Sequence, residues 1–344
     1  MSDMNAPTSI PTRFQSLRTH QEGGGTQTRL ESIALDELSA GELVVRTRYA
    51  GINYKDSLSL LGRAKIVESY PRVCGIELVG DVISVAAGAN CSFKPGQTVL
   101  VHGFRTGIAF DGGYSEYVRV PAAHAMALPE GLSPYECAVL GVPGFTVAMA
   151  LDAFERHGVR AQGSTIAVTG ASGAVGTLAM GILSAAGYRV AAVTRRPEQS
   201  ESLLRLGASE IVDAAEAAAS TRALEKPRFA ASIDNVGASA LAWLLRSTRE
   251  GGCVASVGNA GGNTFEGSVL PFIMRGISLF GVVANASWEV RERLWERLGA
   301  TWKPNFSALA PHVREIGLEQ VVENASLQLD GKISGRTLVC FEAR

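Results

Sequence analysis

The sequence predicts an α/β protein, a doubly wound parallel sheet accompanied by a second, mostly β domain. Three observations predict it. Residues 138–284 alternate short apolar strands with helices, the rhythm of a parallel sheet covered on both faces. A glycine-rich turn, Gly170-Ala-Ser-Gly173-Ala-Val-Gly176, follows the first clear strand of that region and opens a helix. Residues 13–137 are dense in short β-type runs broken by glycine, the texture of a compact β domain with irregular loops.

The elements follow in order. Residues 1–12 are polar and contain proline, which predicts a disordered tail. They lack the basic segment and apolar core of a secretory signal. The β domain shows strands at Leu43–Tyr49, Val79–Val85, Thr98–Val101 and Tyr114–Val120. In the alternating region the strands are Thr165–Val168, Arg189–Thr194, Glu210–Val212, Ala231–Asp234, Cys253–Val257 and Ser278–Val283. Helices fit at Val175–Ala186, at Glu198–Leu206 (stopped by Gly207) and at Ser239–Arg249. Residues 285–344 open with a helix rich in Arg, Glu and Trp, Trp288–Leu298. They close with the strand Ser334–Phe341, for which return to the N-terminal β domain is the simplest pairing. The expected domains are 13–137 with 285–344, and 138–284.

The glycine-rich turn carries the first chemistry. Its three glycines serve a tight turn, close backbone approach to a pyrophosphate, and packing of the helix on the sheet. The helix N-terminus faces the negative charge. Gly170, Ser172, Gly173, Ala174, Val175 and Gly176 are therefore read as a dinucleotide site. The end of the next strand selects the nucleotide. A site for NAD usually holds Asp or Glu about 20 residues past the glycines; here stand Thr194, Arg195 and Arg196, with no carboxylate before Glu198. Guanidinium groups match a 2′-phosphate, which favours NADPH. One of the two arginines fits equally well as a solvated strand end, and Arg205 on the following helix is read first as a solvated helix face. Val257 and Gly258 close one strand and Asn235 another, at the carboxyl rim where ligands of such sheets collect.

Composition narrows the remaining classes. With 344 residues, 46% of them hydrophobic, the chain can bury two cores. A formal charge of −1 supplies no general field for nucleic acid or an acidic membrane, and no apolar run reaches membrane-span length. Cys74, Cys91, Cys137, Cys253 and Cys340 are scattered and odd in number, as expected of reduced thiols in a cytoplasmic protein without structural zinc. His102, His124 and His157 form no local ligand set, and Ser172 is not a nucleophile elbow, because G-x-S-x-G fails at Ala174.

Several stretches carry a family resemblance: Gly51-Ile-Asn-Tyr-Lys-Asp56, Gly75-Ile-Glu77, Gly112-Gly-Tyr-Ser-Glu116, Gly144-Phe-Thr146, Val168-Thr-Gly-Ala-Ser-Gly173, Gly251-Gly-Cys-Val-Ala255, Leu270-Pro-Phe-Ile273 and Gly335-Arg-Thr337. From about residue 50 onward, in this order, the chain resembles the medium-chain dehydrogenase/reductases. Within them it is most similar to the acrylyl-CoA reductase and quinone oxidoreductase group. That resemblance implies a Rossmann doubly wound parallel sheet inserted in a GroES-like, mostly β catalytic domain. Zinc-dependent relatives carry a cysteine ligand near Asn53–Asp56 and Gly-His-Glu where this chain has Gly75-Ile76-Glu77. Two of the expected ligands are thus missing, and no metal is expected.

The resemblance also implies the site. Tyr54 falls in the active-site cleft beside the nicotinamide, where its phenol is suited to donate a hydrogen bond or relay a proton. Asn53 is a candidate for holding ribose or substrate, and Asp56 and Lys55 either tune Tyr54 or anchor a helix start. Thr146 is a candidate pyrophosphate contact. Arg336 is either a cofactor contact or a surface charge on the terminal strand. Without a Lewis acid the chemistry suits an already polarised double bond. The expected reaction is NADPH-dependent reduction of an α,β-unsaturated carbonyl compound, a short 2-enoyl-CoA such as acrylyl-CoA. A quinone or enone is the alternative substrate, and a non-catalytic NADPH sensor the alternative class. Arg63, Lys65 and Arg105 are candidate contacts for a CoA thioester, or simply solubilising charges. Arg195 departs from the small residue expected between Thr194 and Arg196. Gly281–Ala286 lacks the Asp/Ser character associated with the family, which bears on the acyl preference. The strand Ser278–Val283 is apolar and expected at a sheet edge; relatives pair it across a two-fold axis, so a homodimer is expected, although a covering loop would also satisfy it.

Overall fold

The computed structural model describes residues 10–219 and 222–341, so most of the expected tail at 1–12 lies outside the described residues. The strands are β1 (Phe14–Glu22), β2 (Gly25–Ile33), β3 (Leu43–Ile52), β4 (Arg72–Val73), β5 (Glu77–Val85), β6 (Thr98–His102), β7 (Tyr117–Val120), β8 (Ala125–Ala127), β9 (Thr165–Thr169), β10 (Arg189–Thr194), β11 (Glu210–Asp213), β12 (Phe229–Asp234), β13 (Thr248–Ser256), β14 (Ser278–Gly281), β15 (Val313–Ile316) and β16 (Arg336–Cys340). The helices are α1 (Tyr54–Leu60), α2 (Pro134–Arg156), α3 (Ala174–Ala185), α4 (Ser200–Arg205), α5 (Glu216–Ala219), α6 (Ala238–Ser247), α7 (Leu270–Arg275), α8 (Trp288–Gly299), α9 (Phe306–Leu309) and α10 (Val321–Leu329).

Two compact units emerge: residues up to Val142 with those from Arg314 onward, and Pro143–Val313. In the first, β1 and β2 form a hairpin turned by Gly23 and Gly24 at positive φ, with β4 on the far side of β1. A larger sheet runs β15-β16-β3-β5-β6-β8, and β7 also pairs with β3. Leu43, Val45, Leu78, Val82, Val99 and Val101 fill one core beneath it. The C-terminal strand does return to the N-terminal strands: β16 lies antiparallel to β3, with Thr337 opposite Ile52.

The second unit is a parallel sheet in the order β11-β10-β9-β12-β13-β14. Helices cover both faces, so its inner strands are buried over nearly their whole length, as their continuous apolar sequence requires. Chain order reverses between β9 and β12, and the turns after these two strands flank that switch point.

One expected boundary differs. Residues 285–313 were expected with the β domain, yet they pack within the second unit. Leu294, Trp295, Leu298 and Trp302 are buried; Trp295 stacks on Phe145 at 6.2 Å; and Arg293 and Arg297 pair with Asp152 and Glu155 at 2.5 and 2.6 Å. The polar appearance of α8 conceals an apolar stripe at helical spacing.

Among the described residues α2 is the one helix long and apolar enough to cross a membrane, and 83% of its apolar stretch is buried. It is not continuous. Gly141 adopts φ 44°, ψ −148°, and Pro143 follows, so the helix is two segments meeting at a break.

Candidate active site

The turn after β9 is built as the sequence requires. Gly170 sits at φ +59°, a conformation that suits glycine, and Gly173 is the N-cap of α3. A Cβ on Gly176 would run into the carbonyl oxygens of Gly170 and Ala171, so only glycine lets α3 pack this tightly on the turn. Ser172, Gly173, Ala174 and Val175 are half-exposed around the first turn of the helix, where backbone N–H groups lack intrahelical partners. Thr146 is buried on the second segment of α2.

Across the switch point the turn after β12 is stapled to it. The Thr169 hydroxyl donates to Asp234 Oδ1 (2.6 Å) and accepts from the Asn235 N–H (2.9 Å), while Asn235 Nδ2 donates to the Thr169 carbonyl (2.8 Å). Asp234 also accepts from the N–H groups of Gly237 (2.8 Å) and Val236 (3.2 Å). Burial raises its carboxyl pKa, and these donors oppose the rise. The N–H groups of Val257 and Gly258 donate to the Asp234 carbonyl at 2.8 and 3.1 Å, bringing the end of β13 onto the same rim. The sequence places Asp234-Asn-Val-Gly237 at a strand end on this rim without giving Asp234 a task, and it gives no role to Thr169.

β10 ends at the buried Thr194, whose Oγ1 accepts from the Arg196 N–H at 3.0 Å. Arg195 is exposed and Arg196 half-buried, both just beyond the strand. Arg205 is exposed and pairs with Glu201 at 2.5 Å, in keeping with a solvated helix face. Arg105 is paired with Glu68, while Arg63 and Lys65 are exposed after α1.

The second group of predicted residues lies in the first unit. Asn53 is the N-cap of α1, and Tyr54, 41% exposed, is the first residue of the helix. Lys55 is exposed. Asp56 turns back into the protein, only 1% exposed, accepting from the N–H groups of Asn53 and Ile76, both at 3.0 Å. Burial above all, with the nearby charge of Glu77, pushes its pKa up to about 7. The Asn53 carboxamide is engaged by the protein: Nδ2 donates to Glu77 Oε1 (2.7 Å) and Oδ1 receives Arg336 Nη1 (3.5 Å). Arg336 is completely buried, which excludes the surface-charge reading, and pairs with Glu77 at 2.5 Å. Glu77, 3% exposed, therefore joins Asn53 and Arg336; the sequence motif contained it without indicating a task.

Comparison with known proteins follows the same division. Residues 39–130 match the alcohol dehydrogenase GroES-like domain, and residues 174–300 match the zinc-binding dehydrogenase domain. The chain is 37% identical over 327 residues to the probable acrylyl-CoA reductase AcuI of Escherichia coli K12, covering 95% of this chain and 99% of the relative. The crystal structure of the yhdH oxidoreductase from Salmonella enterica in complex with NADP superposes with a TM-score of 0.89 at 36% identity, over 95% of this chain and 100% of that one. The yhfP protein of Bacillus subtilis with NAD bound gives 0.89 at 34% identity, over 96% and 100%.

A parallel nucleotide-binding sheet and a β domain bearing a polar cluster define a nicotinamide-dependent oxidoreductase. The chain belongs to the medium-chain dehydrogenase/reductase family, with acrylyl-CoA reductases and quinone oxidoreductases as its homologues, and NADPH is its cofactor. The turn fits that cofactor, since the half-exposed residues 172–175 open a helix whose first N–H groups lack intrahelical partners. The zinc named by the second matching domain does not fit: Ile76 offers no ligand, Glu77 is held by Arg336, and among the described residues no group of three His, Cys, Asp or Glu side chains could hold a metal.

Proposed function

We propose that this protein reduces the carbon–carbon double bond of a short 2-enoyl-CoA, such as acrylyl-CoA. The observation carrying this reading is Tyr54, an exposed phenol at the head of a helix whose first turn is anchored by buried polar groups. Similarity to a probable acrylyl-CoA reductase supports the thioester. Bound NADPH supplies hydride to the β-carbon of such a substrate. The amides of Ser172–Val175 and the glycines at 170, 173 and 176 would hold its pyrophosphate, Arg195 and Arg196 its 2′-phosphate. Thr146, Thr194, Asn235, Val257 and Gly258 complete the rim.

Tyr54 donates a hydrogen bond to the thioester oxygen, where negative charge grows as the enolate forms. The α-carbon then takes a proton from Tyr54 or from water. Asn53 and Asp56 act as positioning residues, because their side chains are spent on the protein. Arg63 and Lys65 are the remaining cations for the CoA phosphates. A homodimer through the edge of β14 belongs to the same proposal, supported by the exposed apolar side chains of Val269, Ile273, Met274 and Val283. So does a cytoplasmic location, supported by five cysteines without a disulfide.

The test is NADPH oxidation with acrylyl-CoA, crotonyl-CoA and a benzoquinone, beside NADH controls and Tyr54→Phe. Turnover of acrylyl-CoA with NADPH, slowed at least tenfold by Tyr54→Phe, is expected. Turnover of the quinone alone would replace the substrate, and NADPH binding without any turnover would replace catalysis by sensing.

A further inference from the structure

The two faces of the break in α2 explain a second role for its neighbours. In an uninterrupted helix the Val142 N–H would donate to the Ala138 carbonyl. The conformation of Gly141 opens that bond. Into the gap come two charged side chains: the Val142 N–H donates to Glu77 Oε2 (2.5 Å), and the Ala138 carbonyl accepts from Arg336 Nη2 (3.1 Å). The inserted groups are joined to each other, Arg336 Nη2 to Glu77 Oε1 at 2.5 Å. One helical hydrogen bond has been replaced by an ion pair.

The other oxygen of Glu77 and the other terminal nitrogen of Arg336 hold the loop that carries Tyr54. Glu77 Oε1 accepts from Asn53 Nδ2 at 2.7 Å, and Arg336 Nη1 donates to the Ile52 carbonyl at 3.3 Å. Close approach is built in on both sides, since a Cβ on Gly51 or Gly141 would collide with the pair. A buried ion pair is a poor source of stability, because desolvation cancels most of the attraction. What it supplies is direction: Glu77 Oε1, Arg336 Nη1 and Arg336 Nη2 each serve two fixed partners. We propose that Glu77 and Arg336 are positioning residues for the reduction, fixing Asn53 beside Tyr54 and the break in α2 as one unit. This rests on the reading of Tyr54 given above.

The first experiment is Glu77→Gln. A glutamine has one acceptor oxygen where the carboxylate offers two, so its amide meets a donor at Val142, Asn53 or Arg336. The expected result is a fall in kcat of at least tenfold, with NADPH affinity and KM for the acceptor changed less than threefold. Asn53→Ala should give a similar loss in kcat, and the double variant no further loss. Hydrogen exchange supplies a readout that needs no turnover. In Glu77→Gln both 50–60 and 136–145 should exchange at least tenfold faster, whereas in Asn53→Ala only 50–60 should. Adding Arg336→Met to Glu77→Gln removes both charges; if it restores melting temperature and kcat together, the pair is merely structural and the proposal fails. Wild-type kcat in Glu77→Gln, or faster exchange in only one of its two segments, would also overturn it. Wild-type turnover in Tyr54→Phe would instead overturn the reading of Tyr54 while the exchange result stands.

Discussion

Replacing Asp56 with asparagine should change how stability depends on pH. Asp56 is 1% exposed and faces the N–H groups of Asn53 and Ile76, the Asn53 carboxamide, the Glu77 carboxylate and, more distantly, Cys74 and Tyr114. Its pKa is raised by burial to about 7, from an ordinary value near 3.8. Between about pH 5 and pH 7 the unfolded chain therefore holds it ionised and the folded chain protonated. Folding takes up a proton in this window, so the stabilisation present in acid is lost as pH rises through 7. At about 1.4 kcal/mol per pH unit, the loss between pH 5 and 7 is roughly 3 kcal/mol. Asparagine cannot titrate. It also loses an acceptor, a roughly constant cost of about 1–3 kcal/mol. Melting temperatures of both proteins from about pH 5 to 8 give a difference curve that cancels the other titrating groups. At about 1.4 °C per kcal/mol for a chain of this length, asparagine should gain roughly 4 °C on the wild type across that range. A gap that stays constant would refute the assignment of a buried, proton-binding Asp56.

Two further outcomes concern the nucleotide. Gly176→Val places side-chain atoms against the Gly170 and Ala171 carbonyls, which cannot yield, so NADPH affinity by fluorescence titration should fall more than tenfold. Arg195→Ala and Arg196→Ala should each be measured with NADPH and NADH. Loss of a charge-assisted contact costs roughly 1.5–3 kcal/mol, so the arginine that holds the 2′-phosphate should lose about 10- to 100-fold in kcat/KM for NADPH alone.

The parallel sheet was legible because its signals are local. Thr165–Val168 and Arg189–Thr194 are apolar runs bounded by glycine or charge, and they appear as β9 and β10 almost residue for residue. The glycine turn was legible for the same reason. The β1–β2 hairpin was not, because β2 is mostly solvent-facing and its Gln, Thr and Arg side chains hide the alternation. The domain boundary misled because charge on α8 outweighed its buried Leu294, Trp295 and Leu298 to the eye. In the candidate site, Asn53 and Asp56 could be located but not their burial, since that depends on Glu77 and Arg336, separated by 259 residues. Arg336 could not be told from a surface charge until β16 was seen against β3.

That pairing has a consequence for how the chain is made. All six parallel strands come from 165–281, a single stretch that can close its hydrogen bonds as soon as it is synthesised. The β domain has no such independence. On a growing chain, one edge of β3 waits for β16, whose five residues emerge only at 336–340. Until then Glu77 has no guanidinium and β3 offers an open edge to other chains. A nascent chain stalled short of residue 336 would thus carry a finished nucleotide sheet and an adhesive, unfinished β domain. Truncations at the C-terminus should aggregate through the opposite end of the sequence.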